Sequence, residues 1–315
     1  APASRALLGD VVPPERVPWL VARFSFAWQS ALIAGPVLGG FLYTVDLTAP
    51  YLASATLLLV SAGALLLVRP ERRVANRSEP VDEEVVDALA AAATEPVGQL
   101  DAARPVRAGL RDAVEGFRFI RRVPVLLGAI SLDLVAVLFG GAVALLPAIA
   151  TERLGVDAVG LGWLRAAGGI GAGAVTLLLG VRPLRRRVGP ALLAAVAGFG
   201  TFTILLGLTR SFAVAFLAMA VLSGADAVSV FIRASLVPLL TPEDKRGRVL
   251  AVENVFIGGS NELGAFESGV AGQLLGPSGA VVFGGMATLV VAGGWWLLFP
   301  DLRRVDRFPA GAAPP

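Results

Sequence analysis

Glu253, Ser260 and Glu267 recur every seven residues in the apolar run 249–276, and Asn254, Asn261 and Ser268 keep the same step. Seven residues make nearly two helical turns, so these groups are expected on one polar stripe. Glu262 lies beside them near mid-run. Such a stripe along an otherwise apolar helix either walls a wet cavity or seals a helix–helix contact with buried hydrogen bonds. Other apolar runs carry fewer ionisable groups: Arg23, Asp133, Arg165, and Asp226 with Arg233. Asp133 lies on the order of 14 Å into its run at the helical rise per residue. A carboxyl at that depth either takes up and releases a proton or is paired structurally with an arginine; Asp226 and Glu262 are comparable candidates. Arg165 and Glu267 are expected at similar depths and so could pair. Arg233, near the end of its run, is expected to anchor or gate against Glu253.

Much other chemistry is excluded. The chain has no cysteine and no histidine, and its one lysine, Lys245, falls in a loop. Thiol chemistry, histidine metal sites and histidine relays are therefore absent. No nucleophile–base constellation is left, so neither an enzyme nor a cofactor nor a metal is expected. Gly168 to Gly173 lies within an apolar run, where small residues serve close helix packing rather than phosphate binding.

These residues sit in a chain of unusual composition. Of 315 residues, 56% are hydrophobic and 16% charged, with mean hydropathy +0.74; soluble domains carry about 25% charged residues. Eight apolar runs, at 19–42, 50–68, 124–150, 158–181, 189–209, 211–240, 249–276 and 279–299, approach or exceed the roughly 20 residues that span a bilayer. The expected fold is all-α and polytopic, with the lipid bilayer as its first partner.

The loops alternate in charge. Segments 1–18, 69–123, 182–188, 241–248 and the tail hold 22 of the 27 basic residues, including Arg5, Arg185, Arg186 and Arg187. Basic loops stay in the cytoplasm, so both ends of this chain are expected there. A net charge of +3 thereby serves topology, and no nucleic-acid partner is expected. With 26 arginines against one lysine and abundant Ala, Gly and Val, the composition fits a GC-rich bacterium and hence its inner membrane.

The segment 69–123 separates two runs from six. Its first part is acidic and polar. Its second repeats Leu110, Val114, Phe117 and Ile120 at helical spacing among five arginines, a basic amphipathic helix that either lies on an anionic leaflet or packs on the bundle end. A short repeat is also present. Arg5-Ala with the later Pro14-Glu15 matches Arg233-Ala with Pro242-Glu243, 228 residues apart and in the same orientation. Parallel repeats of this kind occur in transporters.

The run 30–42 contains Ala31, Gly35, Pro36, Gly39 and Gly40. Small residues at Ala31, Gly35 and Gly39 are expected to form a flat face for close contact, with Pro36 permitting a bend. Gly35-Pro36-x-x-Gly39-Gly40 resembles the fifth-helix antiporter motif of the major facilitator superfamily, with Ala31 at an upstream small-residue position. Gly180 to Gly189 resembles that superfamily's basic loop between the eighth and ninth helices, without its acidic residue. Arg5-Ala-Leu-Leu, Arg233-Ala-Ser-Leu and Pro242-Glu-x-x-Arg246-Gly-Arg248-Val resemble its enterobactin-exporter-like branch.

This resemblance implies about eight of twelve membrane helices. Residues 1–68 would close the N-terminal half (the end of the fourth helix, then the fifth and sixth), 69–123 would be the central loop, 124–300 the C-terminal six-helix half and 301–315 a cytoplasmic tail. About four further spans are expected upstream. The runs it implies to face lipid, 50–68, 189–209 and 279–299, hold no ionisable residue in their interiors, while the other five all do. The implied function is export of a small amphipathic molecule, a drug or siderophore, by alternating access with proton antiport. An importer or uniporter of the same fold, or a fragment that does not transport, would share most of these features.

Overall fold

The computed structural model describes residues 17–67 and 106–308. Arg5, the first copy of the repeat and the acidic part of the long loop lie outside the described residues. The described chain is helical, with no strand. Its long helices are α1 (Val17–Val45), α2 (Ala49–Leu67), α3 (Val106–Arg122), α4 (Pro124–Phe139), α5 (Ala158–Val181), α6 (Val188–Leu208), α7 (Phe212–Leu239) and α8 (Glu243–Leu298). The eight expected runs fall on α1, α2, α4, α5, α6, α7 and two limbs of α8.

By length and hydropathy α5, α6, α7 and α8 are each sufficient to cross a membrane, and α3 with α4 make a fifth candidate bent by 112°. The fold is a polytopic helical membrane bundle.

α8 is one helix only in name. At Gly276, φ is 73° and ψ is 160°, and Pro277 follows. Proline supplies no N–H to continue the ladder, and the glycine takes a conformation that side chains resist. Packing shows the fold-back. A Cβ at Gly264 would lie 2.8 Å from the Val137 carbonyl, and one at Gly284 would strike the Phe139 carbonyl. Twenty residues of straight helix would separate these two glycines by about 30 Å. The limbs 243–275 and 277–298 therefore run antiparallel beside α4.

The run 124–150, expected as one span, is interrupted. α4 stops at Phe139, and a 3-10 turn, a short helix at Leu146–Ala148 and a π-helical turn at Ile149–Arg153 follow. Gly140 and Gly141 cause the break and exploit it. A side chain on Gly141 would lie 2.7 Å from the Gly264 carbonyl, so the glycine lets the chain approach α8. Arg153 then donates to the carbonyls of Leu208 (2.6 Å) and Thr209 (3.2 Å), supplying donors at the end of α6.

The core joins α4, α6, α7 and the second limb of α8 through Ala129, Leu132, Leu192, Val196, Ile232, Leu236 and Val291, all buried. A second cluster ties α5 to α6 and α7. α2 packs on α1 and keeps Leu57 to Val60 more than 60% exposed.

Candidate functional site

α4 buries one stripe: Leu126, Ala129, Asp133 and Ala136, at spacings of three and four. An aspartate thus occupies a core position. α7 places Ser229, Arg233 and Leu236 on its buried side in the same manner. The first limb of α8 buries Val249, Glu253, Ser260 and Ser268. Where these three stripes converge, Arg233 Nη2 lies 2.8 Å from Asp133 Oδ1, and Nη1 lies 3.6 Å from Glu253 Oε1. The three residues are 4–7% exposed. The first contact has the length of a charge-assisted hydrogen bond; the second is a looser ion pair. The expected contact between Arg233 and Glu253 is present, and Asp133 has the arginine partner that the structural alternative required.

Beside this cluster is a cavity of about 20 Å³ between α4, α6 and α7, room for about one water. Asp133, Asp226, Ser229, Val196 and Phe199 line it. Ser229 Oγ and Arg233 Nε are buried and have no hydrogen-bond partner among the described residues. Ser229 was not among the sequence candidates, although Asp226, Ser229 and Arg233 follow a three-then-four spacing that puts them on one side of α7.

The polar stripe of α8 divides, contrary to expectation. Glu253 and Ser260 are buried and Glu267 is partly so, whereas Asn254, Asn261 and Glu262 are exposed and Ser268 is buried again. Seven residues fall about 20° short of two turns. Each row therefore rotates slowly about the helix: one leaves the interface as the other enters it. Only the exposed groups face an open side of the bundle.

Arg165 and Glu267 do not meet, which corrects a second expectation. Arg165 is exposed on α5, which packs against α1 and α7, whereas Glu267 lies on the limb beside α4 and accepts a 3.5 Å hydrogen bond from Ser268. No ion pair joins them among the described residues.

The glycine–proline segment makes a close contact, but not through the expected face. A Cβ at Gly35 or Gly39 would meet nothing within 4 Å, and Ala31 is exposed. The face against α5 is instead Ile33, Pro36 and Gly40. A Cβ on Gly40 would lie 2.5 Å from the Ala158 carbonyl; one on Gly162 would strike the Pro36 carbonyl. Proline explains part of the choice. Without an N–H at Pro36, the Leu32 carbonyl loses its helical donor, and that carbonyl faces Gly169, 3.4 Å from where a Cβ would stand.

The basic loop holds Arg185, Arg186 and Arg187, all exposed. Its missing acid comes from elsewhere. Asp306 accepts from the Arg187 backbone N–H at 3.2 Å and pairs with Arg186 at 3.8 Å. The Val188 and Gly189 N–H groups donate to the carbonyls of Asp306 and Val305. No local signal in the sequence linked positions 119 residues apart.

Among the described residues no group of His, Cys, Asp or Glu is arranged to hold a metal. No curated protein and no solved structure matches the chain. The sequence model of the Major Facilitator Superfamily matches residues 1–209. With a family match covering about two thirds of its length and a polytopic helical bundle to carry it, the chain belongs to the Major Facilitator Superfamily of membrane transporters.

Proposed function

We propose that the protein exports a small amphipathic organic molecule, of drug or siderophore type, across a bacterial inner membrane by alternating access, driven by proton antiport. The reading places it in the enterobactin-exporter-like branch, with both ends of this chain in the cytoplasm.

The observation that carries the coupling is the Asp133–Arg233–Glu253 cluster: two carboxylates share one guanidinium away from water. Fully ionised, the cluster keeps a surplus negative charge, which is costly in a membrane interior. A proton on one carboxyl removes it. Protonating Asp133 also weakens its tie to Arg233, and with it the attachment of α4 to α7. Proton occupancy and helix packing are thereby linked, as alternating access requires. Asp226 shares the adjacent cavity and would pass the proton on. Arg165, Asn261, Glu262 and Glu267 are the candidates to meet substrate. Export as the direction rests on the resemblance of Gly35-Pro36-x-x-Gly39-Gly40 to the antiporter motif.

The test is ethidium accumulation in cells expressing the full-length gene, with and without a proton uncoupler. Expression is expected to lower accumulation, and the uncoupler to abolish that difference. Equal accumulation with and without the transporter would defeat export; an uncoupler-resistant difference would defeat proton drive.

A further inference from the structure

We propose that the basic end of the bundle binds the phosphate headgroup of an anionic phospholipid, through Arg118 and Arg122 of α3 and Lys245 at the start of α8. α3 is fixed there by its own sequence. Gly116 lies against α8, where a Cβ would stand 2.7 Å from the Arg248 carbonyl, and Ile120 is fully buried. Phe117 meets Phe256 edge to face, with ring centres 6.1 Å apart. These contacts hold α3 against α8 through Gly116 and Ile120, while Val114 and Phe117 keep exposed surface. A break at Val123 turns α3 by 112° from α4. α4 carries the apolar part of this bent pair and α3 the arginines, so we place α3 close to the membrane plane, at headgroup depth.

Between α3 and α8 is an open cavity of about 360 Å³, bounded by Val114, Glu115, Arg118, Phe119, Arg122 and Lys245. Three cations line it with one carboxylate. Glu115 is already matched, its Oε2 lying 3.1 Å from Arg248 Nη1. Among the described residues Arg118, Arg122 and Lys245 have no ion pair; the Lys245 ammonium sits over the Phe119 ring at 5.4 Å. Two guanidinium forks and an ammonium around one space are the chemistry that holds a phosphate. Free inorganic phosphate shares that chemistry. The apolar walls, Val114 and Phe119, and the position beside the start of α4 favour a headgroup with its glycerol and chains.

The experiment compares the full-length protein in nanodiscs of phosphatidylcholine with and without phosphatidylglycerol, reading thermal stability and, by native mass spectrometry, retained lipid. Phosphatidylglycerol is expected to be retained preferentially and to raise the melting temperature. The triple variant R118Q/R122Q/K245Q should bind it at least about tenfold more weakly while melting like wild type in pure phosphatidylcholine. Glu115→Gln should strengthen binding, an effect of opposite sign that packing alone does not produce. Equal retention of the two lipids by wild type, or undiminished retention by the triple variant, would overturn the site. Equal stabilisation by inorganic phosphate at the same concentration would overturn the lipid as its ligand.

Discussion

The guanidinium of Arg233 and the carboxylate of Asp133 meet 2.8 Å apart inside the bundle, both nearly withdrawn from solvent. Removing one member of such a pair strands the other, at about 3–5 kcal/mol. Arg233→Gln, which removes the guanidinium that Asp133 and Glu253 share, should be the most damaging change in the cluster. Asp133→Asn should cost much less, because Glu253 still matches the charge. The double variant Asp133→Asn/Arg233→Gln should be less destabilised than the sum of its singles. Denaturant or thermal unfolding of the purified variants measures this coupling, and strict additivity would mean that the pair does not interact energetically.

The α1–α5 contact separates neighbouring glycines. Gly40→Val places a side chain against the Ala158 carbonyl, and Gly39→Val enters open space. Overpacking of this kind costs about 1–3 kcal/mol. Gly40→Val should therefore lower stability and disturb transport, while Gly39→Val leaves stability nearly unchanged. Melting temperatures of the two variants, side by side, decide whether the face is the one described.

At Gly276 the backbone adopts φ 73° and ψ 160°, a region almost confined to glycine. A Cβ there has open space, so Gly276→Ala isolates backbone strain from crowding. The expected loss is about 1–3 kcal/mol, measured by thermal unfolding. A neutral result would mean that the fold-back of α8 relaxes without strain.

Asp306 contributes little energy and much position. Its carboxylate is half exposed, so Asp306→Ala should cost under about 1 kcal/mol. Gly189→Ala should cost more, since a Cβ there strikes the Leu302 carbonyl. Comparing their unfolding curves distinguishes a surface ion pair from a packed backbone junction.

The bundle was legible in the sequence because apolar runs of spanning length and basic loops are set by local composition. The run 158–181 coincides with α5, and 189–209 differs from α6 by one residue at each end. What failed needed neighbours. Gly140 and Gly141 interrupt a run whose hydropathy is continuous, because α8 approaches there. The face of α1 could not be chosen between Gly39 and Gly40 without knowing where α5 lies. Within the site, Asp133, Arg233 and Glu253 stood out as charges in apolar surroundings. Ser229 did not, since a serine in a membrane helix is unremarkable until its hydroxyl is found buried with no partner among the described residues. Asp306 was hidden by distance along the chain.

The central claim, that the Arg233-centred cluster carries the coupling proton, is tested most directly by ethidium efflux from vesicles at a series of fixed pH values, for wild type and Asp133→Asn, alongside ethidium binding. The account predicts pH-dependent efflux in wild type, and in the variant a flat pH profile with uncoupler-insensitive efflux and unchanged binding. A variant whose efflux keeps the wild-type pH profile and uncoupler sensitivity would contradict it.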